Sequence, residues 1–195
     1  MSLTVSVRSE YVNTKKYNFQ LSHDRRERKK PAHWINPEMS RSNSRIFDKD
    51  YTGKDLLEIA RSLREKAYEK GLINRKTEIK DDSPIAYRGV ITFGKEAQEI
   101  IKELSVEKQN ELYLEIARRI SRAAGAPLLS VYAHRDEQAP HAHYTMFMFD
   151  ENGKKIRLQR QDLRRFQDIA SNVCQEFGLP ISRGIPKEQR IAAGA

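Results

Sequence analysis

The sequence predicts an α+β domain in which helices flank a mainly antiparallel sheet and a long basic arm follows the first strand. Three observations point there. The hydrophobic periodicities run strand, helix, strand, helices, hairpin, helix, an order that favours antiparallel pairing over repeated parallel crossovers. Two β-rich runs, Leu128–His134 and His141–Phe149, are separated only by Arg135–Pro140, a connection short enough for a hairpin. With 195 residues the chain is long enough to bury one core under both layers, and no internal repeat is visible.

Each element has a local reason. Leu3, Val5 and Val7 alternate with small or polar residues, which marks Ser2–Arg8 as a half-buried strand. Residues 11–50 show little periodicity, many Arg and Lys, and punctuation by Pro31 and Pro37, so they read as an irregular arm. Leu56, Ile59, Ala60, Leu63 and Ala67 fall on one helical face over Asp55–Lys70, and Gly71 is placed to end that helix. Tyr87–Phe93 is a strand bounded by Pro84 and Gly94, and Lys95–Leu104 a short helix. Ser105 caps a helix carrying Leu112, Ile116, Ile120 and Ala123, which stops near Gly125 and Pro127. Leu163, Phe166, Ala170, Val173 and Phe177 define a last helix over Gln161–Phe177, ended by Gly178 and Pro180.

Composition narrows the function classes. The single cysteine, Cys174, rules out an intrachain disulfide and a cysteine-rich zinc site, so any metal must be held by His and carboxylates. Apolar stretches are only a few residues long, which predicts a cytoplasmic rather than a membrane protein. Lys and Arg number 36 against 27 Asp and Glu, a formal charge of +9 that suits a polyanionic partner through counterion release. From Asp24 to Arg45, seven basic side chains face three acidic ones, a local charge of +4.

The most informative stretch is His134-Arg135-Asp136-Glu137-Gln138-Ala139-Pro140-His141-Ala142-His143, which holds three of the five histidines. On a strand, residues two apart share a face about 7 Å apart, so His141 and His143 can lean onto one ion while His134, ending the partner strand, completes a facial triad. Three neutral imidazoles leave coordination positions open for water or a phosphate oxygen. An isolated H-x-H is more often a pair of surface histidines; the third His in register is what favours a metal. Glu137 is expected to orient a ligating imidazole, and Tyr144, Met146 and Met148 to pack the core on the opposite face.

These residues form the pattern H-x-D-E-x-x-P-H-x-H, which resembles the MOB-V (Mob/Pre) plasmid mobilisation relaxases of the HUH endonuclease superfamily. The resemblance implies that His134, His141 and His143 hold a divalent ion on a five-stranded antiparallel sheet. Manganese is the first expectation; magnesium, zinc, cobalt and nickel are alternatives. A second stretch looks like the same family: Leu21-Ser22-His23-Asp24-Arg25-Arg26-Glu27-Arg28, then Ile35-Asn36-Pro37, then Ser42-Asn43. By this resemblance His23 is the nucleophile, and it departs from relatives that carry Tyr after the Asn, because Ser44 stands here. An imidazole with a reference pKa of ~6.5 offers a free lone pair at neutral pH, whereas a phenol near ~10 needs assistance to ionise. Tyr17 is the leading alternative nucleophile, ahead of Tyr11 and Tyr51.

The implied reaction is site-specific nicking and rejoining of one DNA strand through a covalent 5′-phosphoryl-histidine, with Arg25 stabilising the transition state. DNA contacts are expected from Arg26, Arg28, Lys29, Lys30, Trp34, Arg41 and Asn43. A second clamp is expected at Asn74 and Arg75, with Lys76 and Lys80. The substrate would be single-stranded DNA beside a hairpin at a transfer origin, acted on by a single bacterial domain spanning 1–195, monomeric and lacking the family's helical C-terminal oligomerisation region. Two other readings fit the same residues: a rolling-circle initiator or transposase nuclease of the HUH type, and a noncatalytic DNA-binding module with a structural metal. A small-molecule metallohydrolase fits the basic arm poorly.

Overall fold

The computed structural model describes residues 3–30, 32–74 and 78–184. Among them the strands are β1 (Thr4–Val12), β2 (Ser44–Asp48), β3 (Ala86–Phe93), β4 (Leu128–His134), β5 (His141–Phe147) and β6 (Ser182–Arg183). The α-helices are α1 (Thr14–Asp24), α2 (Gly53–Glu69), α3 (Lys95–Glu103), α4 (Val106–Ala124) and α5 (Arg160–Glu176), and Pro37–Ser42 forms a 3₁₀ turn. The strands make one sheet in the order β2-β4-β5-β3-β1-β6, antiparallel throughout except for the β1–β6 pair.

The expected α+β architecture is present, with two corrections. The sheet has six strands among the described residues, not five. The two edge strands, of five and two residues, are too short to show an alternating pattern. The second correction concerns residues 11–50, which are not an irregular arm. β1 runs on to Val12, α1 follows at once, and β2 returns to the sheet beside β4. α1 escaped the periodicity because its buried residues are Tyr17, Leu21 and an acid, Asp24, so no broad apolar stripe exists. The Asn13 side chain accepts a hydrogen bond from the Lys16 amide, a capping signal that was there to be read. Elsewhere the punctuation worked. Ser105 accepts from the Lys108 amide to start α4, and Gly125 ends that helix at φ +63°.

The register gives the sheet two unlike faces. Ile91 pairs Ala142, Ala142 pairs Ala133 and Tyr144 pairs Val131, an apolar row that α4 and α5 cover; Phe93 of this face lies 6.0 Å, ring to ring, from Tyr113 of α4. Tyr144, Met146 and Met148 are buried, as core packing requires. The opposite face carries Thr92, His141 and His134 in one cross-strand row and Val90, His143 and Tyr132 in the next. The C-terminal end of α1 lies against this polar face, where Asp24 meets Arg88 and Arg25 meets Tyr132.

A glycine makes the central pairing possible. Gly89 stands between Ser9 and Tyr144 in register, and the Tyr144 ring lies over it to place its hydroxyl 2.7 Å from Ser9 Oγ. A Cβ at Gly89 would overlap the ring. Gly89→Ala is therefore expected to lower stability by about 1–3 kcal/mol and the calorimetric Tm by several degrees; an unchanged Tm would mean that the ring moves aside freely.

Candidate active site

His134 is the last residue of β4 and His141 the first of β5, and the two are cross-strand partners. His143 follows two residues on, so the pleat returns it to the same face. The His134 ring centroid lies 5.2 Å from His141 and 5.1 Å from His143, and the last two are 4.8 Å apart. The Nε2 atoms of His141 and His143 approach to 3.2 Å, a separation that two nitrogens take when they share an ion at roughly 2.0–2.2 Å. His134 Nδ1 is buried with no hydrogen-bond partner among the described residues, as a donor atom awaiting a cation would be. Burial pushes the pKa of His141 down and that of His143 well down, with the Arg88 charge adding to the effect at His143, so both rings are neutral and keep their lone pairs.

α1 is fastened to this hairpin by the residue just past its C-cap, Arg25. Arg26 adopts φ +57°, in the left-handed region. Its Nε and Nη2 donate to Asp136 at 2.8 and 2.5 Å, Nη2 also donates to Glu137 at 2.9 Å, and Nη1 donates to the His23 carbonyl at 3.0 Å. Asp136 is buried and accepts in addition from Ser40 Oγ at 2.7 Å, while its carbonyl accepts from the Asn36 amide at 2.8 Å. Burial alone would raise the Asp136 pKa, but the bonds from Arg26 and Ser40 outweigh it and hold the carboxyl below its ordinary value.

This attachment brings His23 to the triad, with ring centroids 5.2 Å from His134 and 6.1 Å from His143. Glu137 connects them: its Oε1 is 3.4 Å from His23 Nε2 and 3.5 Å from His134 Nδ1, and its Oε2 is 4.0 Å from His141 Nε2. Against the effect of burial, the neighbouring rings of His134 and His23, the charge of His141 and the bond from Arg26 hold Glu137 ionised far below the usual carboxylate range. Two further residues had no sequence signal. Arg88 of β3 is buried between Asp24, at 2.5 Å, and His143 Nδ1, at 2.5 Å. The Asp24 carbonyl lies 3.3 Å from His134 Nε2. Donor atoms of His23, Asp24, His134 and His143, and those of His134, Glu137 and His141, form two overlapping groups, each within 4.8 Å, that could hold a metal.

Other expected site residues lie elsewhere or face other partners. Arg25, expected at the transition state, instead donates to Tyr132 at 2.9 Å, Asp48 at 2.6 Å and Asp50 at 2.5 Å, and Arg26, the neighbour expected on DNA, faces the site. Tyr17 is buried with its hydroxyl on the Tyr51 carbonyl at 3.1 Å, and burial together with Asp48 pushes its phenol pKa far up, so it is not poised to attack. Arg28 lies 3.8 Å over the Phe19 ring, and Asn43 accepts from the Arg135 amide at 2.7 Å, which holds the turn before β2. Lys29, Lys30, Trp34, Arg41, Asn74 and Lys80 are exposed. Arg75 and Lys76 lie outside the described residues.

An antiparallel sheet that gathers histidines on one face beside the end of α1, where two overlapping groups of donor atoms could hold a metal, defines a sheet-borne candidate metal site. The model of the Mob_Pre family, plasmid recombination enzymes, matches residues 2–193, and the chain belongs to that family. Solved structures share the fold. One MobM relaxase domain (MOBV; Mob_Pre), Mn-bound and bound to plasmid pMV158 oriT DNA of 22 nucleotides with a 3′-thiophosphate, is 19% identical with a TM-score of 0.71 over 98% of this chain and 100% of that one. A MobM relaxase domain bound to a 26-nucleotide oriT DNA is 16% identical, with a TM-score of 0.64 over 94% of this chain and 92% of that one. No curated protein sequence matches the chain. No helix among the described residues is long and apolar enough to cross a membrane.

Two outcomes test this geometry. Arg26→Met leaves the Asp136 and Glu137 carboxylates without their cation and is expected to cost about 3–5 kcal/mol in urea denaturation, as a broken buried pair does; a loss under about 1 kcal/mol would show that Arg26 is a surface tie. At Asp48, burial raises the pKa, but bonds from Tyr132, the Asp50 amide and Arg25 prevail and lower it. A depressed carboxyl contributes stability that is full above the unfolded value, near ~3.9, and is lost as pH falls through the folded value. The Tm gap between wild type and Asp48→Asn should thus be open at pH 6 and shrink as pH drops below about 4; a gap that stays constant would contradict the ion-pair assignment.

Proposed function

We propose that the chain is a metal-dependent relaxase that nicks and rejoins one DNA strand at an origin of transfer, with His23 as the nucleophile. The observation that carries this reading is the His23 ring 5.2 Å from His134, whose own ring lies within 5.2 Å of those of His141 and His143. Family membership supports the activity, and the Mn-bound MobM domains on oriT DNA support both cofactor and substrate. A divalent ion, manganese by that analogy, would be held by His134, His141 and His143 and would offset charge on the nonbridging phosphate oxygens.

The protein's own residues supply the rest. The His23 Nε2 facing Glu137 can give that carboxylate a hydrogen bond, so the lone pair for in-line attack would be that of Nδ1, from which the Arg26 Nη1 now 3.3 Å away would have to turn. The P–N bond forms as the P–O3′ bond breaks, and the 3′-oxygen leaves with the electron pair. The proton the imidazole loses balances the one the 3′-hydroxyl gains. No water is consumed, so the phosphoramidate keeps its activation and the 3′-hydroxyl can later reverse the step. Glu137, held ionised, acts as a standing acceptor that orients His23. Arg26 fixes that carboxylate, and Asp24 with Arg88 steadies the rings of His134 and His143. In this reading residues 1–195 form one monomeric nicking domain of the bacterial cytoplasm, acting on single-stranded DNA beside a hairpin, with Lys29, Lys30, Arg41 and Asn74 on phosphates.

The test is nicking of supercoiled plasmid in Mn²⁺, followed by mass spectrometry of the trapped adduct. The phosphate should map to His23, and His23→Ala should lower nicking by at least ~10³-fold while leaving calorimetric Mn²⁺ binding intact. His134→Ala should abolish both. A tyrosine adduct would overturn the nucleophile, and metal binding that survives His134→Ala would overturn the metal centre.

A further inference from the structure

The hydrogen bonds of two of the metal-type histidines run in opposite senses. His141 Nδ1 lies 2.9 Å from the Ala139 carbonyl, which can only accept, so the ring carries its proton on Nδ1 and its Nε2 lone pair is ready for a cation. His143 is held the other way. Its Nδ1 lies 2.5 Å from Arg88 Nη1, which can only donate, so the one proton of this neutral ring sits on Nε2, the nitrogen that faces His141 Nε2 at 3.2 Å. For His143 to ligate through Nε2, the ring must carry its proton on Nδ1 instead, and an N–H would then face the N–H of Arg88. Two donors do not share so short a contact, so ligation by His143 and its bond from Arg88 exclude each other.

Arg88 has a place to go. The register puts Arg8, Val90 and His143 in one cross-strand row and Glu10, Arg88 and Thr145 in the next. Over these rows a cleft of about 360 Å³ opens, lined by Arg8, Ser9, Glu10, Arg88, Val90 and His143. Arg88 is 7% exposed, and its Nε is buried with no partner among the described residues. Arg8 is exposed, and Glu10, the acid of the lining, already accepts from Lys16 at 2.6 Å and from Gln20 at 2.8 Å.

We propose that Arg88 is released by metal binding to grip DNA: when His143 ligates through Nε2, its Nδ1–H passes to the Asp24 carboxylate, and the Arg88 guanidinium turns into the cleft, where with Arg8 it takes a phosphodiester adjoining the one His23 addresses. Asp24 suits the exchange, because it already meets Arg88 at 2.5 Å and offers a donor atom within 4.8 Å of one on His143. A metal-bound imidazole commonly gives its second N–H to a carboxylate. A guanidinium with an unused N–H suits a phosphate, which accepts from two nitrogens at once. Arg8 stands two strands from His143, ~10 Å across the sheet, so the site adjoins the histidines on their β1 side. The consequence is an order of events: the grip on the strand forms after the cation is seated. The inference rests on the reading of His134, His141 and His143 as a metal centre and adds to it a coupling between cofactor and substrate.

Arginine reactivity reads this release directly. The whole chain is treated with phenylglyoxal, which modifies accessible guanidinium groups, and the modified peptides are quantified by mass spectrometry. Before Mn²⁺ is added, Arg88 should react at least about tenfold less than Arg8, since a buried group reacts through local opening. Saturating Mn²⁺, with binding followed by calorimetry, should raise Arg88 modification at least about fivefold and leave that of the exposed Arg41 unchanged. A twelve-residue thymidine oligonucleotide should then protect Arg88 again, and the same oligonucleotide with neutral methylphosphonate linkages should not. Arg8→Met should weaken that protection. Arg88→Met, shown to be folded by its melting curve, should bind Mn²⁺ at least as tightly as the native chain, because the competing donor is gone. Bound Mn²⁺ with unchanged Arg88 reactivity, or weaker Mn²⁺ binding in Arg88→Met, would overturn the release and leave the metal centre standing. A rise in reactivity that the oligonucleotide does not reverse would overturn the phosphate site. No calorimetric Mn²⁺ binding would overturn the metal centre and the release together, and a chain that releases Arg88 yet fails to nick plasmid would overturn the relaxase reading alone.

Discussion

Arg26 is the tie on which the site depends. A helix that buries only two apolar residues and an acid would hold its place on a sheet weakly, and here the helix end is clamped by one guanidinium shared between Asp136, Glu137 and the His23 carbonyl. The clamp works because its partners are buried: Asp136 has been removed from water and finds its compensation chiefly in Arg26 and Ser40. The same contacts that secure α1 therefore set where His23 stands relative to the three metal-type histidines. Position and stability are a single interaction at this point, and a change to the clamp moves both.

The charge pattern of the basic segment takes on a different meaning in three dimensions. Of its arginines, Arg25, Arg26 and Arg45 pair with acids from the same sheet and turn, and Arg28 lies on Phe19, so much of the local positive charge is used inside the fold. What stands exposed to a polyanion in this segment is a narrower set, Lys29, Lys30 and Arg41. The polar face of the sheet shows the complementary case. Arg88 and Asp24 are buried opposite charges that meet at 2.5 Å beside the imidazoles, a costly arrangement in which each is the other's counter-charge.

Much of the site was legible before any coordinates. The spacing of His134, His141 and His143 sufficed to place the three rings on one face, because a tight hairpin has few ways to pair and the pleat brings residues two apart to one side. The strands Tyr87–Phe93 and Leu128–His134 and the four helices from α2 to α5 were legible too, since each carries a periodic apolar face and a capping or glycine stop. His23 was found only through resemblance, because a lone histidine in a basic stretch carries no periodic signal. Arg25 was expected at the reacting phosphate and Arg26 on DNA, whereas Arg25 meets Tyr132 and Asp48 and Arg26 meets Asp136 and Glu137: neighbouring arginines look equivalent in sequence, and the left-handed turn at Arg26 is a tertiary feature.

The amino-acid sequence by itself determined the hairpin, its three imidazoles and the helices that cover the apolar face, because local spacing and hydrophobic period suffice for each. Only the tertiary structure decided that residues 11–50 fold back as a helix and an edge strand, that Arg88 and Asp24 reach the site, and which arginine serves it. Those outcomes depend on pairings between residues as far apart as Arg26 and Asp136 or Asp24 and Arg88, and no local pattern encodes which distant carboxylate a guanidinium will meet once water is excluded.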